Sequence, residues 1–324
     1  MKKWLEKQFQ LSSYGTNVKT ELLAGLTTFV TMAYVLATVP SLLGNAGLDR
    51  NVMFTAMILL IILTTCAMAF YTNRPFALAP GLVPGGMILA ILITTVIGIP
   101  FGVTELPSSP FSLPAGIGSQ FMNIDFIGAL DFAYIPFLIA LFIPDFFSTF
   151  GTVLGVGAKA GYLDEDGNLP GIDKCFKVDA IATSFGALFG MPSMTTYLES
   201  SAGVEAGGKT GLTVIFTSIF FALTLFLSPL ALIIPSAATG PILIFIGINM
   251  LSSMSKIHYE DLTEAVPAFI CIAFTIFANN IANGICAAIP AYFIMKIAAG
   301  KVKELSPVMY IMVAVCLLYF YTLI

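Results

Sequence analysis

Between Gly211 and Ser255 the chain runs for 45 residues without an Asp, Glu, Lys or Arg. In lipid every backbone N–H and C=O must be satisfied within the protein, so such a run becomes helix. A crossing takes about 20 residues, so this run is too long for one and is divided by Pro235 and Gly240-Pro241. Leu22–Leu48, ending near Pro40, and Asn51–Asn73 read as the first two spans. Pro75–Thr104 follows, broken at Pro80-Gly81 and Pro84-Gly85-Gly86, with Phe76–Gly81 irregular and Met87–Gly98 helical. Phe132–Ala158 gives another span, Ala180–Gly190 a short helix, and Ala265–Met295 one span or two half-length ones. Lys256–Glu264 reads as a surface piece, and a last span follows Pro307.

Composition agrees. Of 324 residues 58% are hydrophobic and 10% charged, whereas soluble domains carry about 25% charged residues. This is a polytopic membrane protein. A net charge of −4 gives no reason to expect nucleic acid or an acidic ligand. The five cysteines have no C-x-x-C or Cys/His spacing, so neither a disulfide framework nor a metal site is indicated. The N-terminal M-K-K-W-L-E-K-Q-F-Q-L lacks a cleavage site and reads as an amphipathic surface helix within residues 1–20. Basic residues sit at the N-terminus, at Arg74, at Lys159, Lys174 and Lys177, and at Lys296, Lys301 and Lys303. The loop at 102–131 has none. The positive-inside rule puts the N-terminus in the cytoplasm and that loop outside.

Met191–Gly211 is the stretch that resists this pattern. It is broken by Pro192, Gly203, Gly207 and Gly208, and it holds Glu199 amid apolar flanks. An ionisable group at membrane depth is costly and marks a functional site. Asp145 is the second such group, with Ser148 and Thr149 one helical turn on and on its face. The plainer alternative makes both acids structural, tied to backbone amides at helix breaks. Pro75–Leu82 and Pro192–Gly203 each follow a short apolar helix and lead into a helix start. Broken segments at matching places in two halves point to a midplane site. The alternative is two independent kinks. G-V-E-A-G-G-K-T (Gly203–Thr210) matches the P-loop string. Its setting, an apolar run without an acidic second strand, favours a glycine turn over nucleotide hydrolysis. His258 reads as solvated, and Asn279, Asn280 and Asn283 as interhelical hydrogen-bonding groups.

Four stretches carry a family resemblance: V-K-T-E-L-L-A-G-L-T-T-F-V-T-M-A-Y (Val18–Tyr34), F-A-L-A-P-G (Phe76–Gly81), D-F-F-S-T-F-G-T-V-L-G-V (Asp145–Val156) and Y-L-E-S-S-A-G-V-E-A-G-G-K-T-G-L-T (Tyr197–Thr213). The chain resembles the azaguanine/hypoxanthine–guanine permease branch of the nucleobase–cation symporters, in the xanthine/uracil permease group. The resemblance implies an all-α inverted-repeat secondary transporter, with core and gate domains and two broken helices holding short extended segments. It implies a non-enzymatic permease for purine nucleobases such as adenine, guanine or hypoxanthine, multi-pass in the cell membrane. It further implies proton-coupled symport, with no cofactor beyond the coupling ion.

Carried over, Glu199 would bind the purine ring nitrogens with Leu198 and Ser200 beside it. Asp145 would contact substrate or relay the proton, supported by Ser148 and Thr149. Ala79 and Pro80 would supply the opposing backbone wall. The sequence also departs from the family. Leu82 runs straight into Val83 and what looks like the seventh span, so the family's spans four to six, most of the first gate and a substrate-contacting Asn are missing. Ser148 stands where family members carry another carboxylate. The resulting division is 1–20 N-terminus, 21–101 remnant of the first repeat, 102–131 external loop and 132–324 second repeat. A homodimer would complete the gate; a transport-inactive remnant acting as a structural membrane protein is the alternative.

Overall fold

A computed structural model describes residues 2–80, 95–104, 106–107, 109–130, 134–233, 257–278 and 281–322. Within them the chain is mostly helical. Val18–Gly44, Arg50–Thr72 and Gly211–Leu232 are long and apolar enough to cross a membrane. The chain divides into two compact units, Met1–Ile124 with Phe147–Ile246, and Asp125–Phe146 with Gly247–Ile324.

The first unit opens with α1 (Lys2–Phe9), whose Phe9 shares a small buried cluster with Leu11 and Leu212. α2 (Val18–Met32) starts at Asn17, whose side chain accepts from Lys19 N and Thr20 N. The helix therefore begins before Leu22, because a good cap outweighs the charges of its first turn. Nor does the span end near Pro40. The helix is interrupted at Ala33–Tyr34, and α3 (Val35–Asn45) carries Pro40 inside it. A proline there removes one backbone bond, and α3 tolerates the loss. α4 (Arg50–Thr72) is capped by Asp49 and stops at Asn73 in the left-handed conformation.

β1 (Leu78–Pro80) follows. Of the expected Met87–Gly98 helix, residues 95–98 are helical, and the rest lies outside the described residues, as does the Leu82–Val83 junction. The loop up to Ile124 is irregular but pinned: Ser112 N donates to Phe226 O, Ala115 N to Thr55 Oγ1 and Met122 N to Leu188 O. α5 (Ile135–Lys159) begins in the second unit and ends in the first. α6 (Ile172–Leu188) starts earlier than the expected Ala180, because its charged opening turns stay largely exposed while Cys175 and Val178 face inward. Then come β2 (Met194–Thr196), α7 (Ser200–Glu205), α8 (Gly211–Thr224) and α9 (Ser228–Leu232).

Glu21 fastens this unit together. It is fully buried, and its carboxylate accepts from Lys209 N (3.0 Å), Thr210 Oγ1 (2.9 Å), Thr213 N (3.0 Å) and Thr213 Oγ1 (2.5 Å). Those donors ring the N-terminus of α8, where the helix leaves unpaired N–H groups and partial positive charge. The P-loop string thus ends in an anion site filled by the chain's own carboxylate. Close packing completes the join. A Cβ on Gly203 would lie 2.1 Å from Thr28 Oγ1, and one on Gly211 would lie 2.4 Å from Ala69 O.

The second unit contains α10 (Leu262–Phe277), α11 (Ile281–Ala298) and α12 (Pro307–Thr322). The Ala265–Met295 stretch is therefore two helices. They approach closely at Gly284, where a Cβ would meet Thr275 Oγ1 at 1.9 Å. The expected surface piece is shorter than Lys256–Glu264. Asp261 caps α10 by accepting from Thr263 N, which places Glu264 in the first turn. Hydrogen bonds from Lys301 and from the Thr263 hydroxyl and amide hold the Asp261 carboxyl well below the usual carboxylate range.

Two outcomes follow from these contacts. Glu21→Ala leaves four donors, three of them buried, without their anion and is expected to cost about 3 kcal/mol, read as a lower unfolding midpoint in detergent. Because the folded Asp261 carboxyl titrates low, its stabilisation is present above the ordinary carboxylate pKa and is lost as pH falls. Wild-type stability should therefore drop on acidification below about pH 4, and Lys301→Met should flatten that dependence in a pH series of unfolding midpoints.

Candidate functional site

The two broken segments find each other. β1 and β2 pair antiparallel, with Leu78 opposite Thr196, Ala79 opposite Thr195 and Pro80 opposite Met194. Three-residue strands among apolar helices leave outward-facing backbone groups that water does not reach, and each such group costs free energy unless paired. Hydroxyls answer that need. Thr65 Oγ1 donates to Leu78 O (3.1 Å) and accepts from Leu78 N (3.0 Å). Thr183 Oγ1 donates to Met194 O (3.0 Å) and accepts from Met194 N (3.2 Å). The same reciprocal clasp thus occurs twice, each time from the helix that precedes the strand. Tyr197 OH donates to Pro80 O at 2.5 Å, Tyr197 N to Ala77 O, and Ala77 N to Ser200 Oγ.

Glu199 stands where this pair gives way to α7, at its N-cap position, and is 8% exposed. Tyr34 OH, from the interruption between α2 and α3, donates to Glu199 Oε1 at 3.1 Å. Beyond β2 a second chain of groups runs inward. Thr149 Oγ1 donates to Asp179 Oδ1 (3.1 Å) and lies 2.8 Å from Thr195 Oγ1. With its single proton committed to Asp179, Thr149 accepts from Thr195. Thr149, Asp179 and Thr195 are all buried.

The structure treats the expected site residues unequally. Ala79 and Pro80 are buried in the strand pair, Ser200 is fully buried with its hydroxyl accepting from Ala77 N, and Leu198 is 51% exposed. Thr149 is buried, Ser148 exposed and Asp145 half-buried. Asp145 belongs to the second unit and Glu199 to the first. The sequence reading missed Asp179, Tyr34, Thr65, Thr183 and Glu21. Asp179 lies just before the helix expected at Ala180–Gly190; the signal that places it on a helix is the inward-facing series Cys175, Val178 and Ala182, three and four residues apart. Thr196 Oγ1 is buried without a partner among the described residues. The surface grooves of the second unit, at His258–Lys301 and around Pro267 and Ile289, do not involve Glu199.

Apolar spanning helices gathered around a clasped pair of broken segments, with a buried acid at their junction, define a membrane transport protein. Residues 76–287 match the permease family Xan_ur_permease, and the chain belongs to that family. A putative permease of Methanocaldococcus jannaschii is 28% identical over 428 aligned positions, covering 98% of each chain. The adenine permease AdeQ of Escherichia coli is 28% identical, covering 93% of each, and the guanine/hypoxanthine permease PbuO of Bacillus subtilis is 28% identical, covering 92% of this chain and 96% of its own. The alignments are longer than the 324 residues of this chain, so these relatives carry positions with no counterpart here.

The clasps give a direct check. Thr65→Val or Thr183→Val strands the amide and carbonyl of Leu78 or Met194. Each is expected to cost about 2 kcal/mol locally, a roughly thirtyfold faster hydrogen exchange at that amide.

Proposed function

We propose that the chain is a secondary active transporter that carries purine nucleobases across the cell membrane as a proton symporter. The observation that carries this reading is Glu199, a buried carboxylate at the junction of two paired broken segments. A carboxylate accepts hydrogen bonds from the ring N–H groups of a purine and, once protonated, can carry a proton as a neutral group. The relatives named as adenine and guanine/hypoxanthine permeases support the substrate class. Thr196 Oγ1 adds a buried hydroxyl without a hydrogen-bond partner among the described residues, which suits a polar ligand or water. The matching clasps of Thr65 on Leu78 and Thr183 on Met194 support two repeats of one helix–strand unit, of the kind found in inverted-repeat carriers.

Asp145, with Ser148 and Thr149, remains the proposed coupling group; within the first unit the Thr195–Thr149–Asp179 chain holds a further buried acid. Ala79, Pro80, Leu198 and Ser200 are proposed to flank the substrate. The N-terminus is proposed to face the cytoplasm, since the basic residues favour that side. One observation favours a second reading, a transport-inactive integral membrane protein: the alignments with the relatives exceed the length of this chain.

Uptake of labelled adenine, guanine and hypoxanthine into permease-deficient cells separates the two. Wild type should raise uptake of at least one base several-fold, and Glu199→Gln should return it to background. Asp145→Asn should lower uptake while sparing binding to the purified protein. Uptake at background for the wild type, with normal membrane insertion, would leave the inactive reading standing.

A further inference from the structure

We propose that Tyr34 is a positioning residue for Glu199: the Tyr34 hydroxyl holds Oε1 and thereby fixes the orientation in which the carboxylate meets a planar heterocycle. This rests on the transport reading above. A glutamate side chain is long and rotamer-rich, so an acid that must match the ring nitrogens of one flat ligand needs something to hold it. Tyr34 is suited to that role. It is 2% exposed, its ring lies 6.5 Å from that of Tyr197 at 32°, and its hydroxyl donates to Glu199 Oε1 across 165 residues of sequence.

The two ends of this bond are fixed by separate contacts. Tyr34 sits at the close of α2, and its carbonyl accepts from Thr38 Oγ1. α2 is locked to α7 and α8 by the Glu21 carboxylate, by Thr217 Oγ1 donating to Gly25 O, and by the close approach of Gly203 to Thr28. Glu199 itself begins the turn into α7, two residues after Tyr197, whose hydroxyl is held by Pro80 O. The bond therefore joins two pre-set frames. A buried tyrosine hydroxyl needs a partner in any case, so a purely structural role is what the test must separate from positioning.

The full chain is purified in nanodiscs, and equilibrium binding is measured for labelled adenine, guanine and hypoxanthine and for a purine methylated at a ring nitrogen. Wild type should bind a parent base and reject the methylated one. Tyr34→Phe should weaken the parent base about tenfold and leave the methylated one unchanged, so discrimination collapses by the same factor. A ring-fluorinated tyrosine at position 34, a stronger donor, should move discrimination the other way, and it decides the matter if Tyr34→Phe does not fold. An infrared carboxylate band that is absent in Glu199→Gln should shift in Tyr34→Phe.

Unchanged discrimination in Tyr34→Phe, or equal loss for both ligands, overturns the positioning role. So does a Glu199 band that does not move. Wild type that binds no parent base overturns the transport reading instead. In that case a shifted band still supports Tyr34 as the group orienting Glu199, and an unshifted one removes it.

Discussion

The antiparallel pairing of Leu78–Pro80 with Met194–Thr196 is the contact on which the site depends. Neither strand could exist alone, because a three-residue extended segment among apolar helices exposes backbone that nothing would satisfy. Each strand gives the other its inner partners, and Thr65, Thr183 and Tyr197 take up outward groups. The result is a short length of non-helical backbone whose position is set by side chains from α4, from α6 and from the link between β2 and α7. Glu199 inherits its place from that arrangement, since it follows the second strand by three residues.

The second organising force is an anion buried at a helix start. Glu21 of α2 puts its carboxylate against the first turn of α8 and takes hydrogen bonds from two backbone amides and two hydroxyls. The same physics that draws phosphate to a P-loop draws this side chain. A string that matches a nucleotide-binding pattern is thereby explained without a nucleotide. It serves instead to tie the beginning of the chain to a helix nearly two hundred residues later. Glycines at Gly203, Gly208 and Gly211 let the backbones approach closely enough for the carboxylate to reach.

These two devices bear on transport in different ways. The strand pair and Glu199 offer a polar surface of fixed shape at a point where apolar helices surround it. The Thr195–Thr149–Asp179 chain extends from the back of that surface to another buried acid. Each hydroxyl in it is satisfied by the next group, as buried polar atoms must be. The relatives' additional aligned positions have no counterpart among the 324 residues of this chain.

Hydropathy determined the class outright, because uncharged runs of crossing length have no other stable form in lipid. Proline and glycine likewise marked both broken segments, and the lone acid in the second of them stood out against its surroundings. Local spacing misjudged boundaries wherever charge sat on an exposed helical face, as at Ile172–Leu188, and it left Asp179 outside the helix expected from Ala180. What the tertiary structure alone decided is partnership. Threonines and tyrosines inside apolar spans carry no signature that says whose backbone or carboxylate they serve. Thr65 with Leu78, Thr183 with Met194, Glu21 with Thr213 and Tyr34 with Glu199 are hydrogen bonds made by groups the packing brings together, and a one-dimensional pattern holds no record of which distant segment will arrive.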